Sequence, residues 1–167
     1  MRYCLTALAI LASSSVAGQG EHGNPLQRDD KAEHDSAKVL AKIAVVVGTR
    51  NEVKALSLQE LRRIFLRQKT FWPDKSPLTV YERHTENPIR RQFSKAVLGK
   101  TPGELREYWL NLKLTRGIKA PETCRSARLV KAYLARVKGG IGYMYEDEAD
   151  DTVRIVATIP LGEGSGD

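Results

Sequence analysis

The most restrictive feature of this chain is an unbroken apolar run, Ile43 to Val47, in which four of five side chains are β-branched. β-Branched residues favour extended backbone because their χ1 angle is already restricted. A run without polar alternation is typical of a strand that is covered on both faces. The run therefore predicts a buried strand inside a layered domain.

Four later segments carry helix signals. Ser57 and Glu60 have the spacing of a capping box, and Thr101 and Glu104 repeat it. Gly99 predicts a helix end because glycine readily adopts the left-handed conformation. The predicted helices span 57–66, 87–98, 101 to about 112, and 126 to the stop at 139–140, the last with the apolar face Leu129, Val130, Tyr133, Leu134 and Val137.

Three further strands are predicted between these helices. Leu78 to Glu82 alternates in polarity, and short apolar runs cover 141–145 and 153–157. A turn is expected at 72–75, and Trp72 and Trp109 are expected to pack in the core. Because strands alternate with helices, the pattern indicates an α/β layer fold.

The N-terminus has the pattern of a secretion signal. Arg2 precedes an apolar stretch from Tyr3 to Ala12, and small residues follow up to Ala17. The pattern predicts a signal peptide at 1–17 that is cleaved near Ala17, and a periplasmic or secreted protein; an N-terminal anchor or a buried helix is the alternative. The remaining chain divides into a flexible leader (18–37), one domain (38–160) and a disordered tail (161–167).

Cysteine usage fits an exported domain without an internal disulfide. Cys4 would leave with the signal, so Cys124 would be the only thiol of the mature chain. A lone cysteine in a globular domain is most often a small buried hydrophobic residue. We therefore expect Cys124 to be buried and structural.

The charge of the chain is concentrated in the predicted domain. The whole chain carries +7, whereas residues 42–145 hold 22 basic and eight acidic side chains. A domain with this excess of positive charge favours anionic partners. The aromatic residues do not interleave with the basic ones as in RNA-binding sheets, so no nucleic-acid partner is expected. Five acids at 146–151 lack the spacing of a calcium loop and predict a solvated acidic loop.

Recognisable catalytic and cofactor motifs are absent from the sequence. No HExxH, GxSxG, P-loop or GxGxxG pattern occurs, and two of the three histidines lie in the leader. The sequence thus predicts a protein that is not an enzyme, without a cofactor and without a metal site. No second stretch approaches the length of a membrane span.

One corner has the features of an anion site. A predicted strand ends at Arg83, and Asn87 with Pro88 then opens a helix, whose N-terminus carries a partial positive charge. Arg83 could contact a phosphate or carboxylate, and Arg90 raises the local positive potential. Ordinary helix capping beside a surface arginine explains the same pattern.

Several of these strings resemble the phosphate-binding proteins of ABC transporters. Residues 55–66 (ALSLQELRRIFL) followed by Trp72-Pro73-Asp74 are similar to that family's "LS…L..IFLG…W" signature, and 139–143 (GGIGY) is similar to its "PGAIGY" turn. Arg83 and Phe93 keep the family's spacing between an arginine and a phenylalanine. The resemblance spans about residues 42–157.

The resemblance implies one lobe of a type II periplasmic binding protein, an α/β fold with a mixed central sheet flanked by helices. It also implies a candidate anion-binding set of Arg83, Thr85, Asn87 and Arg90, in which Arg83 alone matches an anion-contacting residue of the family. Thr85 stands where the family has aspartate, residues 87–89 (NPI) replace Ser-Gly-Thr, and Arg67 replaces a glycine. Because only one lobe matches, weak binding of a phosphate-like anion is expected.

The alternative is an interaction module that kept the fold and lost the ligand. Its basic face would dock a protein partner or an acidic polymer of the cell envelope, or two copies would pair as a homodimer.

Overall fold

The computed structural model describes residues 41–161. The predicted signal peptide, the leader and the tail after Leu161 lie outside this range. The described elements, in chain order, are β1 (Lys42–Gly48), α1 (Leu58–Phe65), β2 (Thr79–Arg83), α2 (Pro88–Phe93) with its π-helical continuation (Ser94–Leu98), α3 (Pro102–Arg116), β3 (Glu122–Cys124), α4 (Ala127–Arg136), β4 (Gly140–Tyr145), a 3₁₀ turn (Glu146–Glu148) and β5 (Val153–Pro160).

The five strands form one mixed sheet in the order β3-β2-β4-β1-β5. β2 runs parallel to both of its neighbours, β3 and β4. β1 runs antiparallel to β4 and to β5, so that Val45 lies opposite Tyr143 on one side and Ala157 on the other. Helices cover both faces, and the predicted α/β fold with a mixed, helix-flanked sheet is confirmed.

β1 connects the two halves of the core. Ile43, Val45 and Val47 pack with α1, α2 and α3, whereas Ala44 and Val46 face the opposite layer, which α4 covers. All five side chains are fully buried. The continuous apolar run is therefore explained by burial on both faces, as predicted.

Local capping chemistry fixes the helix ends. Both predicted capping boxes form, at Ser57 and at Thr101. Gly99 ends the α2 segment in the left-handed conformation, as expected from sequence. α3 runs one turn beyond the predicted end near Leu112, because its stop is the left-handed Gly117.

The predicted apolar face of α4 is too wide. Leu129 and Tyr133 are each 42% exposed, while Ala127, Val130 and Leu134 are buried. The buried stripe of the helix is thus Ala127, Val130 and Leu134, and the half-exposed ring of Tyr133 lies at its margin, stacked on Tyr81 of β2 with 5.0 Å between centroids.

The turn at 72–76 packs against the glycine pair at the start of β4, Gly139 and Gly140. The indole Nε1 of Trp72 donates to the carbonyl of Gly139 at 3.0 Å, and Trp72 is 4% exposed. A Cβ on Gly139 would lie 2.0 Å from the carbonyl oxygen of Pro77. Glycine is therefore required here for close approach of two backbones. Trp109 and Cys124 are also buried, as expected.

Between Ala41 and Leu161, no helix is long and apolar enough to cross a membrane.

Candidate functional site

The candidate site is the corner where β2 ends and α2 begins. The backbone N–H of His84 donates to the carbonyl of Cys124, at the end of β3, at 3.0 Å. Residues 84–87 form a turn closed by the bond from Asn87 N to His84 O, at 2.9 Å. Arg83, Thr85 and Asn87 thus lie together at this corner, as the sequence predicted.

The backbone N–H groups at the start of α2 donate to acceptors within the same segment. Asn87 caps the helix, and its Oδ1 accepts from the N–H of Ile89 at 3.2 Å. Pro88 has no N–H, and the N–H of Arg90 donates to the carbonyl of Asn87 at 2.9 Å. The first three helical positions therefore offer no free N–H to an anion, and side chains would have to hold one.

Arg83 is nearly buried and is held by a carboxylate. Its Nη1 lies 3.3 Å from Oε2 of Glu148, and its side chain is 6% exposed. The same Oε2 accepts from the N–H of Tyr145 at 3.0 Å. The Nε of Arg83 is buried and has no partner among residues 41–161. Arg83 thus keeps unused donor capacity, although Glu148 already balances its charge.

The acidic segment is solvated, as the sequence predicted, and it also pairs with basic side chains. Glu146–Glu148 forms the 3₁₀ turn that brings Glu148 to Arg83. Asp150 accepts from Nζ of Lys131 at 2.6 Å and from Thr152. Hydrogen bonds from Lys131 and then Thr152 lower the pKa of Asp150 to about 2. The prediction of a solvated acidic loop therefore holds, and Lys42, Arg83 and Lys131 in addition pair with three of its carboxylates.

Arg90 lies behind the corner and is paired with Glu82. The two side chains are in direct contact, and Glu82 is only 2% exposed. Burial raises the pKa of Glu82, and the Arg90 guanidinium opposes that rise. Arg90 also bonds the hydroxyl of Tyr143, whose pKa is raised mainly by burial. Arg90 therefore supports the corner from beneath, and Glu82 neutralises most of its charge.

A shallow depression of about 450 Å³ opens beside the turn. His84, Glu86, Asn87 and Arg125 line it, and Thr85 is exposed next to them. Sequence reasoning missed Arg125 and Glu148 as members of this site. Arg125 immediately precedes the cap of α4, so its only signal was the predicted start of that helix. No group of three or more His, Cys, Asp or Glu in the described part of the chain could hold a metal ion.

Comparison with solved structures identifies the fold. No protein-family profile matches the sequence, and no curated protein does. The structure of a phosphate ABC transporter substrate-binding protein with bound phosphate, from Clostridium perfringens, matches 70% of this chain with a TM-score of 0.58 and 22% identity. An ABC-type phosphate transport receptor from Vibrio cholerae matches the same share with a TM-score of 0.54 and 21% identity. PstS from Borrelia burgdorferi also matches 70%, with a TM-score of 0.55 and 12% identity.

The chain has the fold of one part of these phosphate-binding proteins. It covers 44%, 46% and 47% of their respective lengths, so it spans somewhat less than half of each. The resemblance inferred from the sequence motifs is thereby confirmed at the level of the fold. The proteins that it resembles are binding proteins and receptors rather than enzymes.

Proposed function

We propose that this chain is an exported, non-enzymatic domain that binds phosphate or a similar small anion weakly. Arg83, Thr85 and Asn87 would contact the anion, and Arg90 would support the corner from behind. The signal peptide at 1–17, the leader at 18–37 and the domain at 38–160 are parts of this proposal, which places the protein in the periplasm or outside the cell.

The proposal depends chiefly on the state of Arg83. The Nε of Arg83 is buried without a partner among residues 41–161, and the residues that directly follow it, 84–86, are exposed. Guanidinium groups bind planar or tetrahedral oxyanions through parallel N–H bonds, and shielding from water strengthens such bonds. The solved structures with this fold include one with bound phosphate, which supports the same class of ligand.

Two observations limit the affinity. Glu148 competes with any anion for Arg83, and the start of α2 supplies no free N–H. The depression is shallow, so a bound anion would stay largely hydrated, and exposed charge pairs contribute at most about 1 kcal/mol each. We therefore expect dissociation constants in the millimolar range.

A titration of phosphate, sulfate and acetate into the full mature protein, followed by NMR chemical shifts and calorimetry, tests the proposal. Glu148→Gln should strengthen anion binding several-fold, because it removes the competing carboxylate while the amide oxygen can still accept from Tyr145. Glu146→Gln is the matched control, since it makes the same charge change in the same turn without touching Arg83. Arg83→Met should abolish binding.

Equal effects of Glu148→Gln and Glu146→Gln would contradict a specific role of Glu148. Unchanged binding in Arg83→Met would overturn the site itself, provided that the thermal melt shows a folded variant.

A second candidate is an interaction module without a small ligand. It is favoured by the hydrogen bonds at the start of α2, where the N–H groups of Ile89 and Arg90 both donate to Asn87. No backbone N–H is therefore left there to bind an anion. Its partner would be an envelope protein, an acidic polymer or a second copy. Absence of anion binding in both the wild type and Glu148→Gln would favour it.

A further inference from the structure

The C-terminal half of α3 is largely exposed to solvent. Leu105 and Trp109 anchor the helix in the core, and Tyr108 and Leu112 are half-buried against it. Past Trp109 the helix is mostly exposed. Leu110 and Leu114, one turn apart, are 56% and 75% exposed. Single exposed leucines are common, but two on adjacent turns of one helix form a continuous apolar surface.

A groove lies beside these leucines. It has a volume of about 300 Å³ and is lined by Trp109, Leu110, Lys113, Lys119 and Ala120. The indole Nε1 of Trp109 is buried, and none of residues 41–161 accepts a hydrogen bond from it. A buried donor without an acceptor is unfavourable, so the packing around the Trp109 ring leaves one polar group unsatisfied beside the groove.

The charge around the groove has one sign. From Leu110 to Ala120 the chain has three basic side chains and no acidic one. None of the three, which are Lys113, Arg116 and Lys119, forms an ion pair with another described residue. Lys131 is different, because it is paired with Asp150 on the domain surface. The basic groups around the groove are therefore available to carboxylates from outside.

We propose that Leu110, Lys113, Leu114 and Lys119, together with the groove, form a docking surface for a partner protein. The fitting partner is a segment with apolar side chains flanked by aspartate or glutamate. Its apolar side chains would cover the two leucines, and its carboxylates would pair with the lysines. Charge complementarity selects this occupant, since two copies of this surface would bring like charges together. Two leucines also give too little apolar area for stable insertion into a bilayer.

Site-specific photo-crosslinking in the native producer tests the proposal. A benzophenone side chain at Leu114 of the full chain should capture a protein, and the same group at Phe71, which is 58% exposed, is the control position. Mass spectrometry then locates the captured segment. That segment should contain apolar residues next to at least two carboxylates.

The captured protein is then purified, and its affinity for the full chain is measured. Lys113→Glu/Lys119→Glu should weaken binding at least tenfold, and so should Leu110→Ser/Leu114→Ser. Arg128→Glu, an exposed charge reversal on α4, should leave binding unchanged.

Four outcomes would overturn the proposal: a crosslink only to a second copy, a crosslink only to lipid, no crosslink that is specific to Leu114, or binding indifferent to both double variants. The anion titrations at Arg83 do not involve this surface, so either proposal can fail alone.

Discussion

The buried pair of Glu82 and Arg90 gives the sharpest test of how the corner is built. In Arg90→Met, the carboxylate of Glu82 keeps its 2% exposure but loses the guanidinium. Removing one partner of a buried ion pair costs about 3–5 kcal/mol, because the other charge is left unbalanced. We expect a loss of that size in the free energy of unfolding at pH 7, measured by urea denaturation followed by circular dichroism.

The loss should depend on pH in a defined direction. Without Arg90, burial alone acts on Glu82, so its pKa in the folded variant lies above the value of about 4.3 that an unfolded chain has. The folded variant then binds more protons than the unfolded one. The contribution of Glu82 to its stability is complete below about pH 4 and falls as the pH rises. Arg90→Met should therefore be much closer to the wild type at pH 4 than at pH 7.

Two further variants complete the test. Arg91→Met changes an exposed arginine on the same helix and should shift stability by no more than about 0.5 kcal/mol. Glu82→Met/Arg90→Met removes both charges and should recover most of the loss. A loss in Arg90→Met that is the same at pH 4 and pH 7, or a double variant as unstable as the single one, would refute the reasoning.

Two further stability predictions concern the backbone. Arg67 has a left-handed backbone, with φ of 57°, so Arg67→Gly should relieve about 1–2 kcal/mol of strain. The greater entropy of glycine in the unfolded chain offsets part of this. A urea titration should therefore show the free energy of unfolding rise by about 0.5 kcal/mol. Gly139→Ala should lose about 3 kcal/mol, because its Cβ would lie 2.0 Å from the carbonyl oxygen of Pro77. Gly103→Ala is the control, since its Cβ meets nothing closer than 3.9 Å; equal melting temperatures of the two alanine variants would contradict the packing argument.

What could be predicted from the sequence was mostly local. The capping boxes at Ser57 and Thr101 depend on residues three positions apart, so their pattern was sufficient. The corner at Arg83 also follows from a strand end and a cap only four residues later. The left-handed Arg67 gives a physical reason for the family's glycine at that position.

What could not be predicted depends on contacts between distant elements. Glu148 lies 65 residues after Arg83 in the sequence, and no local sequence pattern predicts their contact. The buried pairing of Arg90 with Glu82 requires the orientation of α2 against β2. Strand β3 has three residues and no periodicity of its own, so its signal was too short to read.

The position of β1 in the sheet has a consequence for the order of folding. It is the first described strand, yet it lies between β4 and β5. The two partners of Val45, Tyr143 and Ala157, each lie about a hundred residues later in the sequence. Pairing across such separations is slow, because a long loop must close before any contact forms. β1 cannot gain both of its neighbours on a nascent chain until β5 has been synthesised. Until then one edge of the apolar strand β1 stays unpaired on the nascent chain, where another extended segment could pair with it.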